Sequence, residues 1–231
     1  MKFLIPIIFL LVTNLSYALP SAFQADYTVK KGRLKLGNLH AELSYSGNKY
    51  SYHKSTKATG LAALLTGIKI IENTDGTYSA NQLYPQNYLF KQSRRSKSRI
   101  DKTIFRGNRV TGAYKGKPYN FNIKKGTQDR ASLEIMLAQD LSNNKKNLTY
   151  QIVGRGELLT YRFQRLGQER IQTPAGIFNT IKVKVIRSGN KRETTFWMAK
   201  ELGYLPVKVV HREKGDELTS VISHIKQSSK N

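Results

Sequence analysis

Apolar and polar residues alternate along most of the chain with a period of two residues. In the first such segment Phe23, Ala25 and Tyr27 alternate with polar neighbours. This pattern is typical of β-strands with one buried face, and it recurs between hairpin-forming pairs such as Gly47-Asn48 and Asp75-Gly76. The sequence therefore predicts an antiparallel β-sheet built largely from hairpins.

The clearest part of this pattern lies between residues 166 and 213, where three turns separate four predicted strands. The turns are Thr173-Pro-Ala-Gly176, Ser188-Gly-Asn190 and Leu202-Gly203. Proline fixes φ at about −65° and glycine accepts a positive φ, so the first turn is strongly encoded. We expect an antiparallel meander here, with the only tryptophan, Trp197, on the opposite face of its strand from Phe196.

Two segments break the alternation and predict helices. Asp129 can cap a helix over residues Arg130 to Leu141, in which apolar residues recur at helical spacing. Its apolar stripe must be buried, and the concave face of a curved sheet is the available partner. The second segment, Gly60 to Gly67, is rich in leucine and alanine. It predicts a short helix or an apolar flap, and we expect a buried turn of helix rather than a moving lid.

Together these patterns predict an all-β fold with one main α-helix. A long antiparallel sheet twists, and we expect it to curve strongly into an open or closed barrel. Neither a linker nor an internal repeat divides the chain, so residues 19–231 are interpreted as a single β-rich domain.

The first 18 residues have the features of a secretory signal peptide. Lys2 precedes an apolar run over residues 3–12, and Ser16 and Ala18 are the small residues expected before a cleavage site. This run is about half the length of the roughly 20 residues that a transmembrane helix needs. We expect cleavage after Ala18, a periplasmic location and no transmembrane segment in the mature chain.

The strongest compositional feature is charge. The chain has 39 Lys and Arg against 15 Asp and Glu, a formal net charge of +24. A basic surface attracts polyanions, and export excludes nucleic acid as the natural one. The predicted partners are therefore an anionic envelope lipid, lipopolysaccharide or a cell-wall polymer, with peripheral membrane contact among the options. The alternative is a basic surface that only keeps the protein solvated.

The most basic segment lies between residues 91 and 102. On one extended strand, Arg95, Lys97 and Arg99 would share a face, because alternate side chains point the same way. Arg94 would lie on the other face. These four residues and Trp197 are the predicted ligand-binding residues. The alternative is a solvated edge strand, since lysine and arginine protect sheet edges from aggregation.

The sequence contains no recognisable catalytic constellation. There is no cysteine, no G-x-S-x-G, Walker loop or H-E-x-x-H, and the four histidines are scattered. We therefore assign no catalytic residue, no metal site and no cofactor. In an alternative interpretation Glu169 is a general acid or base for glycan cleavage, with Glu157 or Asp129 as its partner. An ion pair between Glu169 and a cation is the simpler interpretation.

The order of several short motifs resembles a known family. The motifs are Phe23-x-Ala-x-Tyr27, Gly60-Leu61, Leu83-Tyr-Pro-Gln-Asn-Tyr88, Asp129-Arg-Ala-Ser132, Gly167-Gln-Glu169, Thr173-Pro-Ala-Gly-Ile-Phe178, Trp197 and Leu205-Pro-Val207. They resemble the exported bacterial domain-of-unknown-function 3108 family over nearly all of the mature chain. That family implies no established activity. The expected fold is also similar to the periplasmic lipoprotein carriers, whose half-barrels hold acyl chains, although fold alone does not assign function.

These observations favour a non-catalytic periplasmic binding or carrier protein for an anionic or amphipathic envelope molecule. The alternatives are an enzyme acting on envelope glycans and a purely structural, partner-binding protein. The space beneath the predicted helix bears directly on the carrier hypothesis, because a concave face filled by side chains leaves no room for an acyl chain.

Overall fold

The fold is taken from a computed structural model, which describes residues 19–95, 97–186 and 192–228. The predicted signal peptide, the predicted turn at Ser188-Gly-Asn190 and the last three residues of the polar tail lie outside these residues. Within the described ranges the regular elements are almost entirely strands, which confirms the all-β prediction.

Fourteen strands and two α-helices form the described part of the chain. The strands are β1 Phe23–Lys31, β2 Leu34–Ser46, β3 Lys49–Ala58, β4 Lys69–Ser79, β5 Gln82–Arg94, β6 Lys97–Arg106, β7 Arg109–Tyr114, β8 Lys117–Asn122, β9 Thr149–Gly154, β10 Glu157–Thr173, β11 Gly176–Ile186, β12 Arg192–Ala199, β13 Leu205–Glu213 and β14 Asp216–Gln227. The helices are α1 Gly60–Thr66 and α2 Arg130–Ser142, and a 3₁₀ turn covers Lys200–Leu202.

All fourteen strands belong to one antiparallel sheet. Its order is β8-β7-β6-β5-β4-β3-β2-β1-β14-β13-β12-β11-β10-β9, so two meanders meet where β1 pairs with β14. The free edges are β8 and β9. Two contacts span the gap near these edges: a bridge between Gln128 and Ile152, and a hydrogen bond of 2.6 Å from the Arg155 backbone N–H to Asp101 Oδ2. No ladder joins the edges in the described ranges, so the sheet is curled but open.

Successive turns alternate between two rims of the curled sheet, because antiparallel strands reverse direction at each hairpin. The end of the sheet that carries α1 and the β1–β2, β5–β6 and β9–β10 turns is called the upper rim. The lower rim carries the β6–β7 and β10–β11 turns. The last of these is the predicted Thr173–Gly176 turn, in which the Thr173 hydroxyl donates to the Gly176 carbonyl over 3.0 Å and Gly176 has a φ of 135°.

Helix α2 lies on the concave face and is buried over most of its surface. Ten of its thirteen residues are buried, far more than one stripe. Asp129 caps it as predicted, since Oδ1 accepts from the backbone N–H groups of Ala131 and Ser132 over 2.8 and 2.9 Å. The prediction of this helix is confirmed, and it ends at Ser142, one residue later than expected. Buried residues of both meanders, such as Leu43 and Val183, complete the core.

Candidate functional site

The basic segment forms the tip of a hairpin on the upper rim. Strand β5 ends at Arg94, Arg95 lies in the turn, and β6 begins at Lys97. The prediction of a single extended strand is therefore wrong. Arg94 and Lys97 face each other as a cross-strand pair and share a face, contrary to expectation. Both strands have neighbours on each side in the sheet, so the segment is not an edge strand either.

Helix α1 lies against this hairpin tip and exposes its leucines. Leu61, Leu64 and Leu65 are 71%, 64% and 77% exposed, and no residue of the helix is buried. The expectation of a short helix is confirmed, whereas the expectation that it is buried is wrong. The guanidinium of Arg95 donates to the Leu64 carbonyl, which fixes the helix beside the hairpin. Arg95 therefore has a positioning role.

An open pocket of about 280 Å³ lies where α1 meets the hairpin tip. Leu65, Thr66, Arg94, Arg95 and Lys97 line it. The apolar wall comes from the helix and the cationic wall from the hairpin. We call the exposed leucines of α1 together with Arg94, Arg95 and Lys97 the leucine–arginine surface.

The β1–β2 turn extends this surface along the upper rim. The Thr59 backbone N–H, at the start of α1, donates to the Leu36 carbonyl over 2.9 Å. The turn brings Arg33 and Leu34 to the same end of the sheet, and Leu34 is 60% exposed. Exposed apolar residues and cations therefore lie together at the β1–β2 turn, at α1 and at the β5–β6 hairpin tip.

Arg99 does not belong to the leucine–arginine surface. It follows Lys97 by two residues, and its guanidinium carbon lies 5.0 Å from the centroid of the Phe90 ring. Its cross-strand partner is Gln92, and the next inward residue of β6 is the buried Asp101. Arg99 therefore faces the concave side of the sheet and shares that face of β6 with Lys97, as predicted, but it does not line the pocket beside α1.

Trp197 is also remote from the basic hairpin. It pairs with Lys182 on β11 and Lys208 on β13, and the two ammonium groups lie 4.8 and 4.5 Å from the centroid of its rings. Lys182 alternates with the core residues Ile181 and Val183, so this cluster occupies the convex face. With 6% exposure, Trp197 is covered by lysine stems. The structure does not bring it together with the predicted arginines.

Glu169 is part of the Trp197 cluster. Its Oε2 accepts from the indole N–H over 2.7 Å and lies 3.4 Å from the Lys182 ammonium. The hydrogen bond from Trp197, aided by Lys182, lowers the pKa of the Glu169 carboxyl. A lowered pKa keeps the group ionised at neutral pH and does not suit a general acid. The simpler interpretation, a pairing with a cation, is confirmed.

Neither predicted carboxylate partner is close to Glu169. Glu157 lies at the other end of β10, twelve residues away at about 3.3 Å per residue, far beyond the roughly 9.5 Å limit for a glycosidase pair. Asp129 is buried at the start of α2, where Thr74 donates to Oδ2 over 2.6 Å. Burial raises its pKa to about 6. The geometry gives Glu169 no catalytic partner of this kind.

The described residues contain no group of three or more histidine, aspartate and glutamate side chains that could hold a metal ion. Three histidines have local partners in the sheet: His40 contacts Asp26 over 2.7 Å, His53 contacts Asn73 over 2.5 Å and His211 contacts Thr194 over 2.9 Å. In the same ranges, neither helix has the length and apolar character needed to cross a bilayer.

A polar network holds α2 against the sheet. The Lys54 ammonium lies 2.6 Å from Glu134 on α2 and 2.8 Å from Glu72 on β4. Tyr52 donates to Glu134 over 3.1 Å and Tyr88 donates to Glu72 over 2.8 Å. Burial alone would lower the pKa of Lys54, but Glu134 and Glu72 raise it above its usual value. The central helix is therefore fixed by satisfied polar contacts as well as by apolar packing.

This network and the buried surface of α2 bear on the carrier hypothesis. Besides the pocket beside α1, a second pocket of about 310 Å³ is lined by residues of β4, β5 and β6. No residue of α2 lines either pocket. The ten buried residues of α2 belong to the same core as the sheet, which favours close packing between helix and sheet over a space for an acyl chain there.

The curled sheet with a central helix has relatives among known families. The profile of a family described as "Protein of unknown function (DUF3108)" matches residues 23–220, which include thirteen of the strands and both helices in full. The chain belongs to the DUF3108 family. No curated protein matches it.

The fold of this DUF3108 protein is also similar to solved structures. A beta-barrel-like protein of the family DUF1849 from Brucella abortus has a TM-score of 0.59 at 10% identity, covering 92% of this chain and 100% of that one. A presumed lipoprotein from Parabacteroides distasonis ATCC 8503 has a TM-score of 0.35 at 10% identity, covering 89% and 95%, which is too low for an inference. The first likeness supports the barrel-like fold alone.

Sequence reasoning missed the leucines of α1 as functional candidates. Leu61, Leu64 and Leu65 have the spacing i, i+3, i+4, which places them on one stripe of the helix. Lys57 and Lys69 flank the segment. The signal available in the sequence was an apolar stripe on a seven-residue helix between two lysines, which indicates an exposed binding helix.

Proposed function

We propose that this DUF3108 protein is a non-catalytic binding protein of the cell envelope that docks on an anionic lipid surface. The observation that carries the proposal is the position of α1. The helix exposes Leu61, Leu64 and Leu65, and Arg95 fixes it beside the cationic pair Arg94 and Lys97. An exposed apolar stripe beside cations contributes nothing to the core of the protein and is typical of an interaction surface.

Two contributions act together at this surface. Leucines of a short interfacial helix can enter the boundary between headgroups and acyl chains. Each nearby Lys or Arg adds about 1 kcal/mol of attraction to an anionic leaflet. Stable peripheral attachment generally requires two such signals. The leucine–arginine surface supplies both, and the formal charge of +24 favours approach of the protein to an anionic surface.

The predicted signal peptide supports a location in the envelope, where anionic lipid surfaces are present. Anionic lipid fits better than a carbohydrate polymer, because a polymer would leave the leucines exposed. The position of α2 favours binding at the protein surface over an acyl chain held beneath the helix. Neither Glu157 nor Asp129 lies close to Glu169, so the glycan-cleaving alternative has no support.

Reversing the charge of the pair Arg94 and Lys97 should weaken binding to anionic vesicles at least about 30-fold. Loss of two attractive cations alone corresponds to about 2 kcal/mol, and the new glutamates repel the surface. R94E/K97E is preferable to a change at Arg95, which positions α1. Vesicles of phosphatidylglycerol and phosphatidylcholine are sedimented with the protein at 0.1 M and 1 M salt. Binding of the parent should decrease at 1 M salt, where the screening length is about 3 Å.

The matched control is R106E/R109E, at the lower rim. These two arginines also form an exposed cross-strand pair beside a hairpin turn, so the change in net charge is identical. The control should retain most of the binding. Equal losses in both variants would show that total charge, and not the leucine–arginine surface, governs binding. Tighter binding of the parent to lipopolysaccharide or to isolated cell-wall polymer than to the vesicles would contradict the assignment to a lipid bilayer.

A further inference from the structure

The concave side of the sheet has a second part, which we call the mouth, between α2 and the upper rim. Its lining includes the aromatic residues Phe90, Tyr161, Phe163 and Phe196, which are half-buried and border the core. The Phe163 and Phe196 ring centroids lie 6.1 Å apart. Half-buried aromatic side chains on an inward face form an apolar wall that is only partly covered by the protein itself.

Three arginines lie beside these aromatic residues. Arg99 stacks on Phe90, as described above. Arg130, the first residue of α2, is hydrogen-bonded to Tyr161 and packs on Gly154, where an added Cβ would lie 3.3 Å from its Nε. Arg155, next to that glycine, is placed by the hydrogen bond from its backbone N–H to Asp101. The hairpin β9–β10 thus brings a third guanidinium to the first two.

These guanidinium groups have few counter-charges: Asp101 interacts electrostatically with Arg130 and Arg155, and Glu72 interacts with Arg130. Among the described residues, no carboxylate forms an ion pair with Arg99, Arg130 or Arg155, and the Nε atoms of Arg99 and Arg130 are buried without a hydrogen-bond partner. Burial together with the neighbouring cations, Arg130 foremost, lowers the pKa of Arg155. Burial raises the pKa of Asp101, although Arg130 and Arg155 act in the opposite direction. The mouth therefore carries a surplus of positive charge.

A surplus of this kind is unfavourable unless something compensates it. Clustered like charges repel, and buried N–H donors without partners cost free energy. Guanidinium groups present planar pairs of donors that match the oxygens of a phosphate or carboxylate. An anion among the three arginines would remove both penalties, while the adjacent aromatic rings suit an apolar chain.

We propose that the mouth binds the anionic headgroup, a phosphate or carboxylate, of a single-chain amphiphile. Arg99, Arg130 and Arg155 hold the headgroup, and Phe90, Phe163 and Phe196 contact the first part of the chain. This site is separate from the leucine–arginine surface and does not depend on docking. It also requires no displacement of α2, because the chain lies above the helix.

The test uses dodecyl phosphate as the probe, at concentrations below micelle formation, with binding measured by calorimetry. Arg155→Asn is the main variant, because Asn tolerates the positive φ of 61° at this position and leaves the backbone bond to Asp101 in place. Arg99→Gln is the second variant. Each should weaken binding by about tenfold or more, since a charge-assisted hydrogen bond is lost. Arg106→Gln, on the lower rim, is the matched control and should bind as the parent does.

Three further probes decide the chemistry of the site. Dodecanoate should also bind, whereas dodecyl maltoside, which has the same chain and no charge, should bind at least about tenfold more weakly than dodecyl phosphate. Inorganic phosphate should compete only at much higher concentration, because it lacks the chain. Equal binding of the maltoside, equal competition by inorganic phosphate, or parent-like affinity in both R155N and R99Q would overturn the proposal.

A further comparison separates this proposal from the docking proposal. L64S/L65S should bind dodecyl phosphate within about threefold of the parent, because those uncharged side chains lie on α1 in the leucine–arginine surface. A loss comparable to that of R155N would assign the probe to the leucine–arginine surface and overturn the mouth as a site. Vesicle binding by R155N should in turn remain close to that of the parent.

Discussion

Replacing Lys54 by methionine is expected to lower the free energy of unfolding by about 3 kcal/mol or more. Breaking a buried ion pair by removing one partner generally costs about 3–5 kcal/mol, since the remaining charge stays desolvated. The Lys54 side chain is 12% exposed, and its partners Glu72 and Glu134 are 15% and 30% exposed. The substitution leaves two carboxylates without their shared cation. Urea unfolding followed by the fluorescence of the single tryptophan, Trp197, measures the effect.

The control for this prediction removes the orphaned charges as well. In K54M/E72Q/E134Q the amide oxygens can still accept from Tyr88 and Tyr52, so most of the lost stability should return. A loss below about 1 kcal/mol in the single variant would contradict the view that this network fixes α2. If the triple variant were as unstable as the single one, packing of the Lys54 stem, and not charge, would be responsible for the lost stability.

Replacing Leu64 and Leu65 by serine is expected to weaken binding to anionic vesicles by about 30-fold. Full burial of a leucine contributes about 1.5–3 kcal/mol, and partial insertion at an interface leaves roughly 1 kcal/mol for each. Two leucines therefore account for about 2 kcal/mol of binding. Both side chains are largely exposed, so unfolding should change by no more than about 0.5 kcal/mol for each substitution. The loss should persist at 1 M salt, unlike the effect of R94E/K97E.

The matched control is L166S/I177S. Leu166 and Ile177 are exposed apolar residues of β10 and β11, at 46% and 53% exposure, outside the leucine–arginine surface. Their replacement should leave vesicle binding unchanged. Equal losses of vesicle binding in both double variants would show that general surface hydrophobicity drives adsorption. Binding by L64S/L65S at the strength of the parent would exclude insertion of α1.

Much of the fold could be predicted because the deciding interactions are local. The alternation of Phe23, Ala25 and Tyr27 specifies which strand face is buried, and Thr173-Pro-Ala-Gly176 specifies a tight turn. Asp129 and Ser132 specify the start of α2 through contacts within four residues. Whether the curled sheet closes or stays open could not be predicted in the same way, because it depends on contacts between residues that are far apart in sequence, such as Gln128 and Ile152.

The candidate site was only partly predictable for the same reason. The cations of residues 94–99 are evident in the sequence, but the residues between Arg94 and Lys97 include none of the glycine, proline or asparagine that mark a turn. The exposure of Leu64 follows from where α1 lies relative to the hairpin. The separation of Trp197 from the basic segment follows from strand order, which alternation does not encode.

The central claim, that α1 inserts at an anionic lipid surface, can be tested by a single label on the helix. The natural chain contains no cysteine, so Leu65→Cys gives one attachment site for an environment-sensitive dye such as NBD. Ile177→Cys on the lower rim is the matched control. With phosphatidylglycerol vesicles, the dye at position 65 should shift to shorter wavelength and brighten, whereas the dye at position 177 should not change. An unchanged spectrum at position 65, or the same shift at both positions, would contradict the account.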